Sequence, residues 1–235
     1  MRLILVGCEY TGTTTLAEEI VKWRDKVMGP PTPLGIVTYH DHFTPPWFGH
    51  WDEIPDDDLK KYMELGPALK EMFTRYQFAY HLSPQLYRDS DHILVGFHIE
   101  EAVYAPLYYG YGKAGEYGDR ESMARSIEKE IIEQGPDTVI IHVKASADVI
   151  RKRMDESPHE RGVIQEDDIE HILERFAYHY GHSLLRYRFE LDTTESTVEE
   201  TMCEFVEKYE PFISDRDRLR MQARALLHPE LFQKD

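Results

Sequence analysis

The first sixteen residues fix a strand, a tight turn and a helix in that order. Residues 3–16 read LILVGCEYTGTTTL: an apolar run, Gly7, four residues, Gly12, then Thr13, Thr14 and Thr15. Leu16, Ile20, Trp23 and Val27 follow on one stripe at helical spacing. The two glycines stand at the spacing of the phosphate-binding motif G-x-x-x-x-G-K-[ST]. Such a loop holds an anion mainly with backbone N–H groups at a helix N-terminus, where unpaired donors and the helix dipole favour negative charge. Glycines let the backbone curl closely round the anion. On this reading Gly7, Glu9, Tyr10, Thr11, Gly12, Thr13, Thr14 and Thr15 form the cradle, and Thr14 takes the position of the magnesium-holding hydroxyl. The lysine position is Thr13, which brings a hydrogen bond but no charge. Binding features survive, while the cation that follows a transferring phosphoryl group does not. The plainer alternative is a strand-to-helix turn in which Thr13 to Thr15 cap the helix.

The rest of the chain repeats the alternation. Short apolar runs predict strands at 2–7, 34–40, 91–97, 137–144 and 185–191. Helical patterns cover 13–28, 56–65, 67–82, 99–108, 120–134, 146–155, 166–182, 196–209 and, after Pro211, 214–227. Alternating strands and helices predict an α/β fold with a parallel sheet covered on both faces. Ligands in such folds bind beyond the carboxyl ends of the strands. The segments after 7, 40, 97 and 144 are therefore the ones to search for chemistry.

Beyond the second strand, residues 39–58 combine His40, Asp41, His42 and His50 with prolines and with Phe43, Trp47, Phe48 and Trp51. Asp41 is placed to face the phosphate site, as a base or as the anchor of a magnesium-bound water, or else it caps a turn. Beyond the third strand come His98, Glu100 and Glu101, followed by Tyr104, Tyr108, Tyr109 and Tyr111. Acids there suit a helix start, and Glu100 or His98 is also in reach of a substrate or a metal. Beyond the fourth strand, Arg151, Lys152 and Arg153 precede Arg161 and Gly162. Such a cationic cluster suits a mobile lid that closes over phosphates; the alternative is a solvated face paired with Asp155, Glu156 and Glu160.

Composition narrows the partners. The chain has 235 residues and a net charge of −17, from 27 basic and 44 acidic residues, which argues against a nucleic-acid partner. Only Cys8 and Cys203 occur, which fits a reducing cytoplasm and no disulfide framework. No stretch is apolar enough to span a bilayer, and no leader pattern opens the chain.

In combination these segments resemble the thymidylate kinase and deoxynucleoside kinase group of P-loop phosphotransferases. The stretch GCEYTGTTTLAEEI is similar to the group's glycine loop and first helix, except at Thr13. PDTVIIHVKASADVIRKRM is similar to its fourth strand and arginine-bearing helix, and HERGVIQEDDIEHILERFAYHY to its lid exit. FELDTTESTVEETMCEFV is similar to its last strand and helix. The likeness covers residues 1–209, with a lid about 151–166, and leaves 210–235 as a C-terminal helical tail.

The resemblance implies a three-layer P-loop NTPase fold: a parallel five-stranded sheet, helices on both faces and a small helical lid. It implies ATP and magnesium as cofactors and a nucleoside triphosphate plus a small-molecule acceptor as partners, with no nucleic acid and no membrane. It places Asp41 and His42 at the acceptor, with Arg75 and Gln77 on the helix lining the acceptor base. His98 and Glu100 also face the substrate, Glu100 doubling as a metal ligand beside Thr14. Arg151, Arg153 and Arg161 become the catalytic cations. Two departures stand out: Thr13 replaces the lysine, and Gly96-Phe97 replaces the group's Asp-Arg pair. Arg151, Arg153, Arg161 or Lys144 must then supply the missing cation, or catalysis has been abandoned.

Three functions are therefore compared. The first is a small-molecule kinase, and the second a nucleotide-binding regulator without transfer. The third is a metal-dependent hydrolase built on His40, Asp41, His42 and His98. The closing segment 214–227 packs either on the sheet or against a second subunit in a homodimer.

Overall fold

The computed structural model describes residues 1–29, 37–40, 55–88, 91–159 and 162–232. Five strands form one sheet: β1 Arg2–Val6, β2 Val37–His40, β3 His92–Val95, β4 Val139–Lys144 and β5 Tyr187–Asp192. Their order is β2-β3-β1-β4-β5, and every pairing is parallel. The five-stranded parallel sheet expected from the sequence is present. Strand order reverses at β1, which has β3 on one side and β4 on the other, so the crevice beyond its carboxyl end is where a ligand belongs.

Alternation along the strands explains the three layers. Ile4, Val6, Leu94 and Ile140 point to one face, against Phe97, Tyr104, Ile131, Ile172 and Phe176. Leu3, Leu5, Ile93, Val95, Ile141 and Val143 point to the other, against Leu16, Ile20, Phe205 and Tyr209. The first face is covered by helices α5 (Phe97–Tyr104), α6 (Arg120–Gln134) and α8 (Ile169–Gly181), the second by α1 (Thr13–Met28) and α9 (Val198–Tyr209). In β1, β3 and β4 nearly every side chain is buried on one face or the other, which is why these strands read as continuous apolar runs, whereas in edge strand β5 only Leu191 is buried.

The remaining helices are α2 (Asp56–Glu64), α3 (Pro67–His81), the single turn α4 (Pro84–Tyr87), α7 (Ala147–Glu156) and α10 (Asp215–Leu227). One boundary differs from the sequence expectation in an informative way. The helix expected at 99–108 starts at Phe97 and changes into a π-helical turn over Ala105–Tyr109. Pro106 lacks the N–H that would continue the α ladder, so the spacing widens there. The lid expected about 151–166 begins inside α7, whose last turns hold residues 151–156. The tail helix α10 packs on α1. It is held there by a buried charge cluster. Asp91 accepts from the Met1 ammonium at 2.8 Å, from Arg24 at 2.7 Å and from Arg220 at 2.7 Å. Arg220 also donates to Asp217 at 2.9 Å.

Candidate phosphate-binding site

The loop after β1 has the geometry of an anion nest. Tyr10 and Gly12 both adopt left-handed backbone, with φ of 67° and 92°. Alternating hands turn successive N–H groups toward one point. Gly12, which has no side chain, is the N-cap of α1. A Cβ on Gly7 would collide with the Val143 carbonyl and lie 2.7 Å from Thr11 Oγ1, so only glycine fits beside β4.

Side chains from four directions brace this loop. The Glu9 N–H donates to the Tyr104 hydroxyl at 3.1 Å. Thr11 folds back, its N–H and hydroxyl both donating to the Cys8 carbonyl, at 3.1 and 2.7 Å. The Thr193 hydroxyl donates to the Thr11 carbonyl at 2.9 Å. Arg153 donates to the Tyr10 carbonyl at 2.8 Å and to the Thr193 carbonyl at 2.7 Å. Arg153 thus places its charge behind the nest, where it holds the loop to the end of β5.

The loop also reaches outward to the segment after α7. The Tyr10 ring stacks on His159, with centroids 4.0 Å apart. The His159 N–H donates to the Tyr10 hydroxyl at 2.9 Å, and the Val163 N–H donates to Glu9 Oε1 at 3.0 Å. Burial raises the pKa of the Glu9 carboxyl, partly offset by the Val163 N–H. Glu100 lies over Gly96, whose φ is 85°. Burial first, then Glu9 and Glu101, push the Glu100 carboxyl well above the usual carboxylate range. Burial likewise pushes the Cys8 thiol up to about 12, which makes it a packing group rather than a nucleophile.

Several residues singled out from the sequence stand elsewhere. His98 is buried and bonds Glu128 on α6 at 3.0 Å, because α5 starts early enough to turn it away from the loop. Glu128 also accepts from Ser183 and from the Leu184 N–H, both at 2.6 Å. These donors hold its carboxyl below its ordinary pKa against the effect of burial. Arg151 pairs with Glu170 and, at 3.4 Å, with Asp148, as the solvated-face alternative describes, though with different carboxylates. Lys144 pairs with Glu190 at 2.7 Å. Arg75 lies on the exposed side of α3, paired with Glu71, and Gln77 is half-buried. Asp41, His42 and Arg161 lie outside the described residues, as do the other aromatic and histidine positions of 41–54. Among the described residues no group of three or more His, Cys, Asp or Glu side chains is arranged to hold a metal.

A polar cluster that the sequence did not advertise occupies the inner side of α3. Arg120 donates to Glu71 at 2.9 Å and to Glu101 at 3.0 Å. The Tyr111 hydroxyl donates to Glu101 at 2.6 Å. Glu71, Glu101 and Arg120 are all buried. Burial and mutual pairing oppose each other at Glu71, and the two arginines win, holding its carboxyl below the ordinary value. The only sequence signal is the helical spacing of Lys70, Glu71 and Thr74, which share the buried face of α3.

No family model and no curated protein matches this chain. Solved structures do. YorR from Bacillus subtilis, determined in complex with phosphorylated GDP, is similar at 18% identity and a TM-score of 0.55, covering 89% of this chain and 97% of that one. Thymidylate kinase from Ehrlichia chaffeensis is similar at 11% identity and a TM-score of 0.54, covering 88% and 97%. Deoxyadenosine kinase from M. mycoides with bound dATP is similar at 15% identity and a TM-score of 0.51, covering 89% and 100%. Among the described residues no helix is long and apolar enough to cross a membrane. The sheet order, the glycine loop at its reversal point and these likenesses together show that the chain has a P-loop nucleotide/nucleoside kinase-like fold.

Proposed function

We propose that this chain is an ATP- and magnesium-dependent phosphotransferase acting on a small acceptor such as a nucleoside, a nucleotide or a related metabolite. The observation that supports it is the turned loop: left-handed Tyr10 and Gly12 at the start of α1, beyond the carboxyl end of β1 where the strand order reverses. Backbone N–H groups of Tyr10 and of Gly12 to Thr15 would hold the polyphosphate, the Thr11 N–H being taken by the Cys8 carbonyl.

Thr14 and Glu100 are the residues that would hold magnesium. The ion would supply neutralising charge on the phosphate oxygens. Burial and the neighbours Glu9 and Glu101 raise the Glu100 carboxyl, a shift that a bound cation would oppose. Arg153 would hold the nest in shape rather than touch the transferred group. Asp41 as the acid facing the acceptor, and Arg161 as the lid cation, complete the proposal on sequence grounds.

A second reading, a nucleotide-binding regulator without transfer, is favoured by one observation. Thr13 brings no charge, and the nearby Arg153 is engaged with the Tyr10 and Thr193 carbonyls. Calorimetry with ATP, ADP and phosphate, followed by a transfer assay across acceptors, separates the readings. Binding with transfer supports the kinase. Binding without transfer to any acceptor, in both the wild type and Thr13→Lys, supports the regulator. An empty nest removes both. Gly7→Ala should abolish nucleotide binding, whereas Gly66→Ala, where an added Cβ meets nothing within 4 Å, should not.

A further inference from the structure

Lys70 is the one buried cation in this half of the described residues without a carboxylate partner. It sits on the inner face of α3 at 8% exposure. Its ammonium lies 5.9 Å from the centre of the Tyr109 ring. The cations around it are all engaged. Arg75 pairs with Glu71, and Arg120 with both Glu71 and Glu101. Those four charges cancel, so the ammonium of Lys70 is left unbalanced. The stem of Lys70 is buried while its Nζ is not among the fully buried unpartnered nitrogens, so the ammonium stays accessible to an anion beside the ring.

The surroundings place this charge beside the proposed acceptor space. Tyr109 and Tyr111 stack with centroids 6.4 Å apart, which puts Lys70 on one ring of the pair and Arg120, at 4.8 Å, on the other. Arg120 Nη2 is buried and has no acceptor among the described residues. Tyr109 is within electrostatic reach of Glu100 and Glu9, the carboxyl groups beside the phosphate loop. The Lys70 ammonium, with no carboxylate partner, and one unused nitrogen of the already paired Arg120 therefore flank one aromatic ledge.

We infer that Lys70 is a specificity-determining residue that receives an anionic group of the acceptor, a phosphomonoester or a carboxylate, against the Tyr109 ring. This rests on the acceptor half of the kinase reading, and binding rather than turnover tests it. The full-length chain is titrated calorimetrically with matched pairs: AMP and adenosine, dTMP and thymidine, glycerate and glycerol. A member of at least one pair should bind about 10- to 100-fold more tightly as the anion. The phosphate and glycerate arms tell the two anions apart. Lys70→Met should remove that difference while leaving the neutral compound's affinity unchanged, and Lys70→Arg should keep it. Circular dichroism of both variants checks folding.

Equal affinity within every pair, an equal loss for both members in Lys70→Met, or no binding by any anion overturns the inference. Each titration is repeated with ADP at saturation and without it. A loop that never takes ADP sinks the kinase reading, while the Lys70 comparison without ADP still gives its own answer.

Discussion

The aromatic ring of Tyr10 lies flat on the imidazole of His159, 4.0 Å between centroids and 17° from parallel, so the tip of the phosphate loop is also a contact for the segment after α7. Two N–H groups of that segment end on loop side chains, His159 on Tyr10 and Val163 on Glu9. Each such bond contributes about 1 kcal/mol net. Tyr10→Phe is expected to speed hydrogen exchange of the His159 amide by about threefold to tenfold. It should leave Val163 unchanged. Tyr10→Ala, which also removes the stack, should loosen both. Exchange followed by NMR or mass spectrometry gives the answer; identical rates in all three proteins would show that loop and segment are independent.

Asp91 is the hub that fastens α10 to the rest of the fold. Its neighbours Arg24 and Arg220, with the Met1 ammonium, hold its carboxyl well below the ordinary value despite burial. Asp91→Asn removes the buried one of the two carboxylates paired with the fully buried Arg24 and leaves only the more exposed Asp25. A loss of about 3–5 kcal/mol is expected, the range for breaking one side of a buried pair. Urea denaturation should show it as a lower midpoint. Because the carboxyl is depressed in the folded state, its contribution is complete above the unfolded pKa. It fades as pH falls toward the folded one. A midpoint unchanged by the substitution would mean that α10 is held by apolar contacts alone.

Two buried histidines set an acid limit on stability. Burial lowers His81 and His92 from 6.5 to about 3. Below pH 6.5 the unfolded chain binds protons that the folded chain refuses, so stability rises with pH across this window and levels off above it. From pH 7.5 down to 5.5 the pair should cost the fold about 2–3 kcal/mol. Buried His179, lowered to about 4, adds a similar share, so His92→Leu should remove about 1.3 kcal/mol of the pH dependence, roughly a third, in denaturation curves measured at a series of pH values. A stability that does not change over this window would refute the assignment.

Arg120 joins α6 to the inner face of α3 and to α5. Arg120→Met takes the charge partner from buried Glu101 and leaves Glu71 with Arg75 alone, and should lower stability by about 3–5 kcal/mol. Adding Glu101→Met should restore part of it, since an apolar group of similar size has no charge to strand. If the double variant is weaker than the single one, Glu101 carries a role apart from pairing.

The fold was legible in the sequence because its cues agree at each level. The runs of β1, β3 and β4 are largely apolar, as strands covered on both faces must be. Helix starts carry caps, such as Ser146 accepting from the Val149 N–H and the Thr197–Glu200 capping box. The phosphate loop was legible because glycine spacing determines backbone shape locally. The inner side of α3 was not, and α3 itself shows why. Leu69, Met72, Phe73 and Tyr76 are exposed, at 45%, 40%, 48% and 67%, while Lys70, Glu71 and Thr74 are buried. Hydrophobic periodicity points such a helix the wrong way round, and only partners from distant elements, Arg120 and Tyr111, make the buried polar face possible. His98 failed for a smaller reason: starting α5 at Phe97 rather than two residues later turns its side chain toward Glu128.

The carboxyl of Glu100 fills the space over Gly96, where even the Cβ of Glu100 is 3.1 Å from where a new side chain would begin. Gly96 also holds a φ of 85°, and Phe97 a φ of 48°. An acid–arginine pair therefore cannot be written back at these two positions one substitution at a time. Any first step at Gly96 must displace Glu100 and refold a backbone that suits glycine. A side chain at Gly96 therefore demands a second change at Glu100, so the two positions form one unit of substitution.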